Sequence, residues 1–125
     1  GCAIGCLAIS LSEKGFDVVG VDYSRKMIEI AKKNLGERNL RSKLVVGNAG
    51  NLMFADNKFE YVVSTGNVLG HLIDETQREK ALVEMIRVAK KKVILELLNS
   101  DLTAETTNRY WFSDEDETYD PFPFG

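Results

Sequence analysis

Residues 1–22 read GCAIGCLAISLSEKGFDVVGVD: a run of small residues, a helical pattern, a glycine stop and a β-branched stretch that ends in an acid. Gly1, Ala3 and Gly5 sit at alternate positions, which lets the backbone approach a ligand closely. The helix behind them offers free N–H groups and a positive dipole end. Leu7, Ala8 and Leu11 share one face of the helix predicted over 6–14, and Gly15 stands in the C′ position that stops it. The run DVVGVD over 17–22 predicts a short strand buried on both faces, as parallel strands are. Asp22 closes that strand, 17 residues after Gly5. In open parallel sheets ligands sit outside the carboxyl ends of the strands, and a carboxylate there can accept both hydroxyls of a ribose. The structural alternative is an acid that merely opens the next helix ahead of Ser24.

Downstream, Ser24 caps a helix predicted over 25–36, with Met27, Ile28, Ala31 and Leu35 on its apolar face and Gly36 as its end. Strands follow over 43–47 and 58–64. Asp74 opens a long helix over 75–89, with Gln77 at the capping-box place and Leu82, Met85, Ile86 and Ala89 as its buried stripe. A last strand is expected over 92–98. Strands alternating with helices imply crossover units and a mostly parallel sheet, an α/β architecture.

The 125 residues are 44% apolar and 28% charged, an ordinary balance for one soluble domain. No apolar run reaches the length of a spanning helix, so a membrane role is not expected. A formal charge of −3 offers no basic surface for counterion release, so nucleic acid is not an expected partner. Cys2 and Cys6 are too few for a disulfide framework. With His71 the only histidine, they do not complete a zinc site either. Two small, half-buried thiols point to a reducing compartment, the cytoplasm. Residues 101–125 carry seven acids against one Arg, with six aromatics, and read as an irregular segment rather than a helix.

The small-residue loop is a poor match to the dinucleotide fingerprint, whose first, third and sixth places hold Gly1, Ala3 and Cys6 here. It is a better match to another pattern. GCAIG, then VVGVDYSRKMIEIAKKNL in register, VVGNAGNLMFADNKFEYVVSTGNVLGHL, the long helix and KKVILELLNS resemble, in order and spacing, a class I S-adenosylmethionine-dependent methyltransferase over the first 100 residues. The resemblance implies a Rossmann-like three-layer sandwich. It also implies an incomplete one, since the family's first strand, which ends in an acid ahead of this loop, and its last strands are not seen. The chain is thus expected to be a single partial domain, truncated at both ends, with 1–100 as the cofactor-binding core and with marginal stability.

By position, the resemblance implies that the backbone of Gly1, Ala3 and Gly5 lines the methionine part of S-adenosyl-L-methionine, that Asp22 binds the ribose hydroxyls, and that Tyr23 and Met27 flank the adenine. Asn48 stands where the family has Asp and keeps an acceptor for the adenine amino group; Ala49 presents its N–H to the ring. Thr65, within Ser64-Thr65-Gly66-Asn67, approaches the amino acid end and the transferring methyl. Ala3 replaces the family's middle Gly, a change that is tolerated if its φ is negative.

Other residues admit two uses. His71, after the loop from Gly66 to Gly70, can serve as a catalytic base at the substrate side or as a partly buried structural histidine. Glu96 can be a pocket acid or a strand-edge residue, and Trp111 a substrate wall or a core cover. The acids from Asp114 to Glu117 read as a solvated loop. The expected activity is methyl transfer to a small-molecule acceptor. The alternatives are a non-catalytic cofactor-binding or scaffold domain and an NAD(P)-dependent oxidoreductase. Neither the acceptor nor the oligomeric state is written in the sequence.

Overall fold

The computed structural model describes residues 1–97; the expectations for 101–125, with Trp111 and the acids from Asp114 to Glu117, lie outside the described residues. The elements run α1 (Cys6–Glu13), β1 (Val19–Asp22), α2 (Arg25–Glu37), β2 (Lys43–Val46), β3 (Phe59–Ser64), α3 (Val68–His71), α4 (Glu75–Val88) and β4 (Ala89–Leu95). Together they form a partial Rossmann-like α/β fold.

The strands pair in two parallel sets. β1 lies beside β2 from Val19 opposite Lys43 to Asp22 opposite Val46, and β3 lies beside β4 from Phe59 opposite Ala89 to Ser64 opposite Leu95. Each pair has its own core. Ile28, Ala31 and Leu35 of α2 pack with Ile9 of α1 against Leu44 of β2. Leu69, Ala81 and Met85 pack with Val62, Val93 and Leu95 under the second pair. Each fully buried aliphatic side chain contributes about 1.5–3 kcal/mol. Ala49, just past β2, belongs to the second core, so the loop after β2 joins the two halves. The Gly1 and Cys2 nitrogens both donate to the Val21 carbonyl at 2.8 Å, which sets the opening loop along β1. That approach leaves no room for a side chain at position 20: a Cβ on Gly20 would lie 2.7 Å from Leu44 Cδ2 and 3.1 Å from Cys2 Sγ.

The helix ends show what spacing captures and what it misses. α1 ends as expected: Gly15 takes φ +86°, the Gly15 amide donates to Ser12 O, and the Phe16 amide donates to Leu11 O, a Schellman motif. α2 does not end at Gly36, which lies within the helix. The same motif forms three residues later with Asn39 at φ +56°, its amide on Gly36 O and the Leu40 amide on Leu35 O. Asn tolerates the left-handed conformation, and ending the helix at Glu37 lets Leu40 pack on the first core.

The long helix is also shifted. Its buried residues are Ala81, Met85 and Val88, whereas Ile86 is 58% exposed and Leu82 is open as well. It ends at Val88, and β4 starts at Ala89, because pairing with Phe59 already begins there. Asp74 caps it by accepting the Thr76 amide rather than by a box with Gln77. The segment after Gly66, expected as a loop, holds the short helix α3 (Val68–His71), which no periodicity announces. Among the described residues no helix is long and apolar enough to cross a membrane.

Candidate functional site

Parallel pairing brings the ends of β1, β2 and β3 that follow Asp22, Val46 and Ser64 to the carboxyl side of their sheets, and the chemistry-bearing residues gather there. The opening loop is a tight turn. The Gly5 amide donates to Cys2 O at 2.9 Å, and Gly5 caps α1 at φ +90°. A Cβ there would meet Ala31 Cβ at 3.0 Å, so position 5 needs glycine for both conformation and space. Ala3 is a correction to the sequence reading: its φ is +46°, not negative. An L residue in this region costs about 1–2 kcal/mol. What offsets the cost is the contact made by its amide, which donates to Asp22 Oδ2 at 2.8 Å.

The other carboxylate oxygen, Oδ1, accepts the Ser24 amide at 2.9 Å. Asp22 is therefore fixed from both sides. Each oxygen still has acceptor capacity left, as a ligand with two adjacent hydroxyls requires. Ser24 Oγ in turn accepts the Met27 amide at 3.3 Å and starts α2. Tyr23 is 80% exposed beside this carboxylate in sequence, and Met27 is half-buried in the first turn of α2. The Gly47 amide donates to Asp22 O at 2.9 Å, which joins the end of β2 to the same place. There Asn48 Oδ1 accepts the Gly50 amide at 2.8 Å and Asn48 O accepts the Asn51 amide at 3.0 Å, forming a tight turn around Ala49.

From the second half, α3 reaches the opening loop: a Cβ on Gly1 would collide with the Val68 side chain. Thr65 lies between the buried Ser64 and Gly66, whose amide donates to Glu96 Oε2 at 3.1 Å. Glu96 thus holds the turn after β3. Hydrogen bonds tie Gly1, Ala3 and Gly5 to the loop and the end of β1 with Asp22, and the Gly47 amide on Asp22 O brings the turn that starts at Asn48 next to them, with Ala49 packed on the second core. His71 is not part of these contacts: its side chain is exposed at the end of α3. Burial chiefly pushes the Cys2 thiol up, so it stays protonated and serves as packing.

One cluster had no counterpart in the sequence reading. Glu84 and Arg87 of α4 bind the irregular segment after Asn51: Glu84 Oε2 accepts the Leu52 amide at 2.6 Å, and Arg87 donates to the Leu52 and Phe54 carbonyls. The guanidinium of Arg87, followed by the Leu52 amide, holds the Glu84 carboxyl down at about 2. Their i, i+3 spacing announces a pair on the helix, but nothing in the sequence announces its target.

The donor set suits a nucleoside: a carboxylate fixed by two amides with acceptor capacity left, an exposed aromatic ring next to it in the chain, and an amide oxygen and a backbone N–H just past the end of β2. The methyltransferase domain family matches residues 1–92. A demethylmenaquinone methyltransferase of Desulfitobacterium hafniense is 41% identical over 86 residues, covering 67% of this chain and 32% of its own length. A glycine/sarcosine N-methyltransferase of Parasynechococcus marenigrum is 37% identical over 95 residues, covering 73% and 33%. The crystal structure of an S-adenosylmethionine-dependent methyltransferase from Methanosarcina mazei superposes with a TM-score of 0.71 at 27% identity, covering 76% of this chain and 48% of that one. The chain spans about a third of the length of the curated relatives it matches. It belongs to the class I S-adenosylmethionine-dependent methyltransferase family, and S-adenosylmethionine is that family's cofactor.

Proposed function

We propose that the chain forms the cofactor-binding part of an enzyme that transfers a methyl group from S-adenosylmethionine to a small-molecule acceptor. The observation that carries this reading is the Asp22 carboxylate, oriented by the Ala3 and Ser24 amides, directly beneath the small-residue loop. Asp22 would hold the ribose hydroxyls. Tyr23 and Met27 would flank the adenine, with Asn48 accepting from its amino group and Ala49 donating to its ring. Gly1, Ala3, Gly5 and Thr65 would line the methionine end. The bound cofactor supplies a methyl group on a sulfonium sulfur. The protein's part is to align the acceptor and exclude water, and orientation of this kind lowers a barrier by about 7–11 kcal/mol.

Relatives named for demethylmenaquinone and for glycine or sarcosine support a small acceptor, and a quinone-type acceptor is the first to test. His71 is proposed as the base for an acceptor that must lose a proton. Cys2 and Cys6 are half-buried and are not in a disulfide, which supports a reducing compartment, the cytoplasm.

Calorimetry with S-adenosylmethionine, S-adenosylhomocysteine and NAD tests the reading. Heat is expected with both sulfur compounds and not with NAD. A folded sample that binds neither sulfur compound would sink it, and one that binds NAD instead would favour an oxidoreductase. Binding without turnover across quinol, amine, hydroxyl and thiol acceptors would favour a non-catalytic domain.

A further inference from the structure

The Glu84–Arg87 pair differs from the other ion pairs of the described residues. Its side chains are 17% and 29% exposed, whereas the pairs Lys33–Glu37, Arg38–Glu13 and Lys91–Glu60 are all about half exposed or more. It is also spent on backbone. Arg87 Nη2 donates to Leu52 O at 2.9 Å, and Nη1 donates to Phe54 O at 2.7 Å and to Asp56 Oδ1 at 2.8 Å. Glu84 accepts from Arg87 Nε at 2.7 Å through Oε1 and from the Leu52 amide at 2.6 Å through Oε2. The Asn57 amide closes the set on Arg87 O at 2.8 Å. Both backbone polar groups of Leu52 are thus satisfied by α4 side chains, as a neighbouring strand would satisfy them. Four positions upstream lies Asn48. The intervening chain is a tight turn, with Asn48 and Asn51 bridged, and it runs close to α4: a Cβ added at Gly50 would lie 3.5 Å from Lys80 Cβ. A displacement at Leu52 is therefore passed to Asn48 and Ala49 with little slack.

We propose that Glu84 and Arg87 are positioning residues for the nucleobase end of the cofactor site: they hold the segment 48–56 on α4, so that Asn48 and Ala49 are presented to the adenine in a fixed register. The inference rests on the cofactor site proposed above. A purely structural brace would serve overall stability alone. A positioning brace also sets selectivity for the base, because the amino group of adenine is read by the Asn48 oxygen and the ring by the Ala49 amide.

The test is calorimetric titration of S-adenosylhomocysteine and of S-inosylhomocysteine, in which the amino group is replaced by a carbonyl. Wild type is compared with Arg87→Met, Arg87→Lys and Glu84→Gln, and amide exchange over 48–56 is read without ligand. Wild type is expected to prefer the adenine compound. Arg87→Met should lose at least tenfold in affinity for it, bring the ratio of the two affinities towards one and speed exchange over 48–56. Arg87→Lys, which keeps the charge but not the fork, should recover part of the ratio. If Arg87→Met does not fold, Glu84→Gln, which keeps the shape and one acceptor, reads the same ratio. A folded variant that discriminates as wild type does overturns the positioning role alone. A wild type that binds neither compound overturns the cofactor site, and this proposal with it.

Discussion

The Ala3 amide donates to Asp22 Oδ2 at 2.8 Å, so the small-residue loop and the carboxyl end of β1 are held as one unit across 19 residues of chain. The bond explains why a residue with a side chain is kept at φ +46°. It also makes Asp22 a group that organises the loop as well as one suited to a ligand.

Asp22→Asn keeps the size of the side chain and removes its charge. An amide has one acceptor oxygen, whereas the Ala3 and Ser24 amides need two, so one of the two bonds is lost. Hydrogen bonds to charged groups contribute about 1.5–3 kcal/mol, so affinity for S-adenosylhomocysteine should fall roughly 10- to 100-fold. Calorimetry on the variant checks this, and unchanged affinity would remove Asp22 from the site.

Backbone strain at the loop gives opposite signs at neighbouring positions. Ala3→Gly releases the left-handed cost and loosens the unfolded chain, for a net gain of about 0.5 kcal/mol. Gly5→Ala imposes that cost and crowds Ala31, for a loss of more than about 1 kcal/mol. Urea denaturation of both variants reads the two signs.

Glu84 ties stability to acid pH. Its folded value, about 2, lies below the ordinary carboxylate value near 4.3. Its contribution is therefore complete above the unfolded value and is lost as pH falls from about 4 towards 2. Glu84→Gln should be less stable than wild type by a constant amount above pH 5, with the gap narrowing through that window. Denaturation midpoints from pH 2 to pH 7 give the comparison. A gap that stays constant down to pH 2 would contradict the assignment.

The His71 side chain is exposed at the end of α3. His71→Gln should leave S-adenosylhomocysteine affinity unchanged and lower turnover by 10² or more, as expected for a general base, with any acceptor that loses a proton. Equal turnover on such an acceptor would return His71 to a surface role.

Much of the fold was legible because it is local. The 3.6 period of Ile28, Ala31 and Leu35, the cap at Ser24 and the stop at Gly15 act over four to six residues, and the structure keeps them all. The long helix was harder. Leu82 and Ile86 fit the period as well as Ala81 and Val88 do, and only the position of the second strand pair chose between the two faces. Gly36 failed as a helix end because Asn39 offers the same conformation three residues later, where Leu40 can be buried.

The sequence by itself determined the small-residue loop, the acid at the end of β1 and the order of elements other than α3, because these follow from side-chain period and backbone sterics within short windows. Only the tertiary structure decided the sign of φ at Ala3, the contact of Val68 with Gly1, and the hold of Glu84 and Arg87 on Leu52 and Phe54, residues more than 30 positions apart. Those features depend on which backbone groups of irregular segments are left without partners once the strands have paired. Such vacancies have no period in the chain, and they appear only when distant segments are brought to one place.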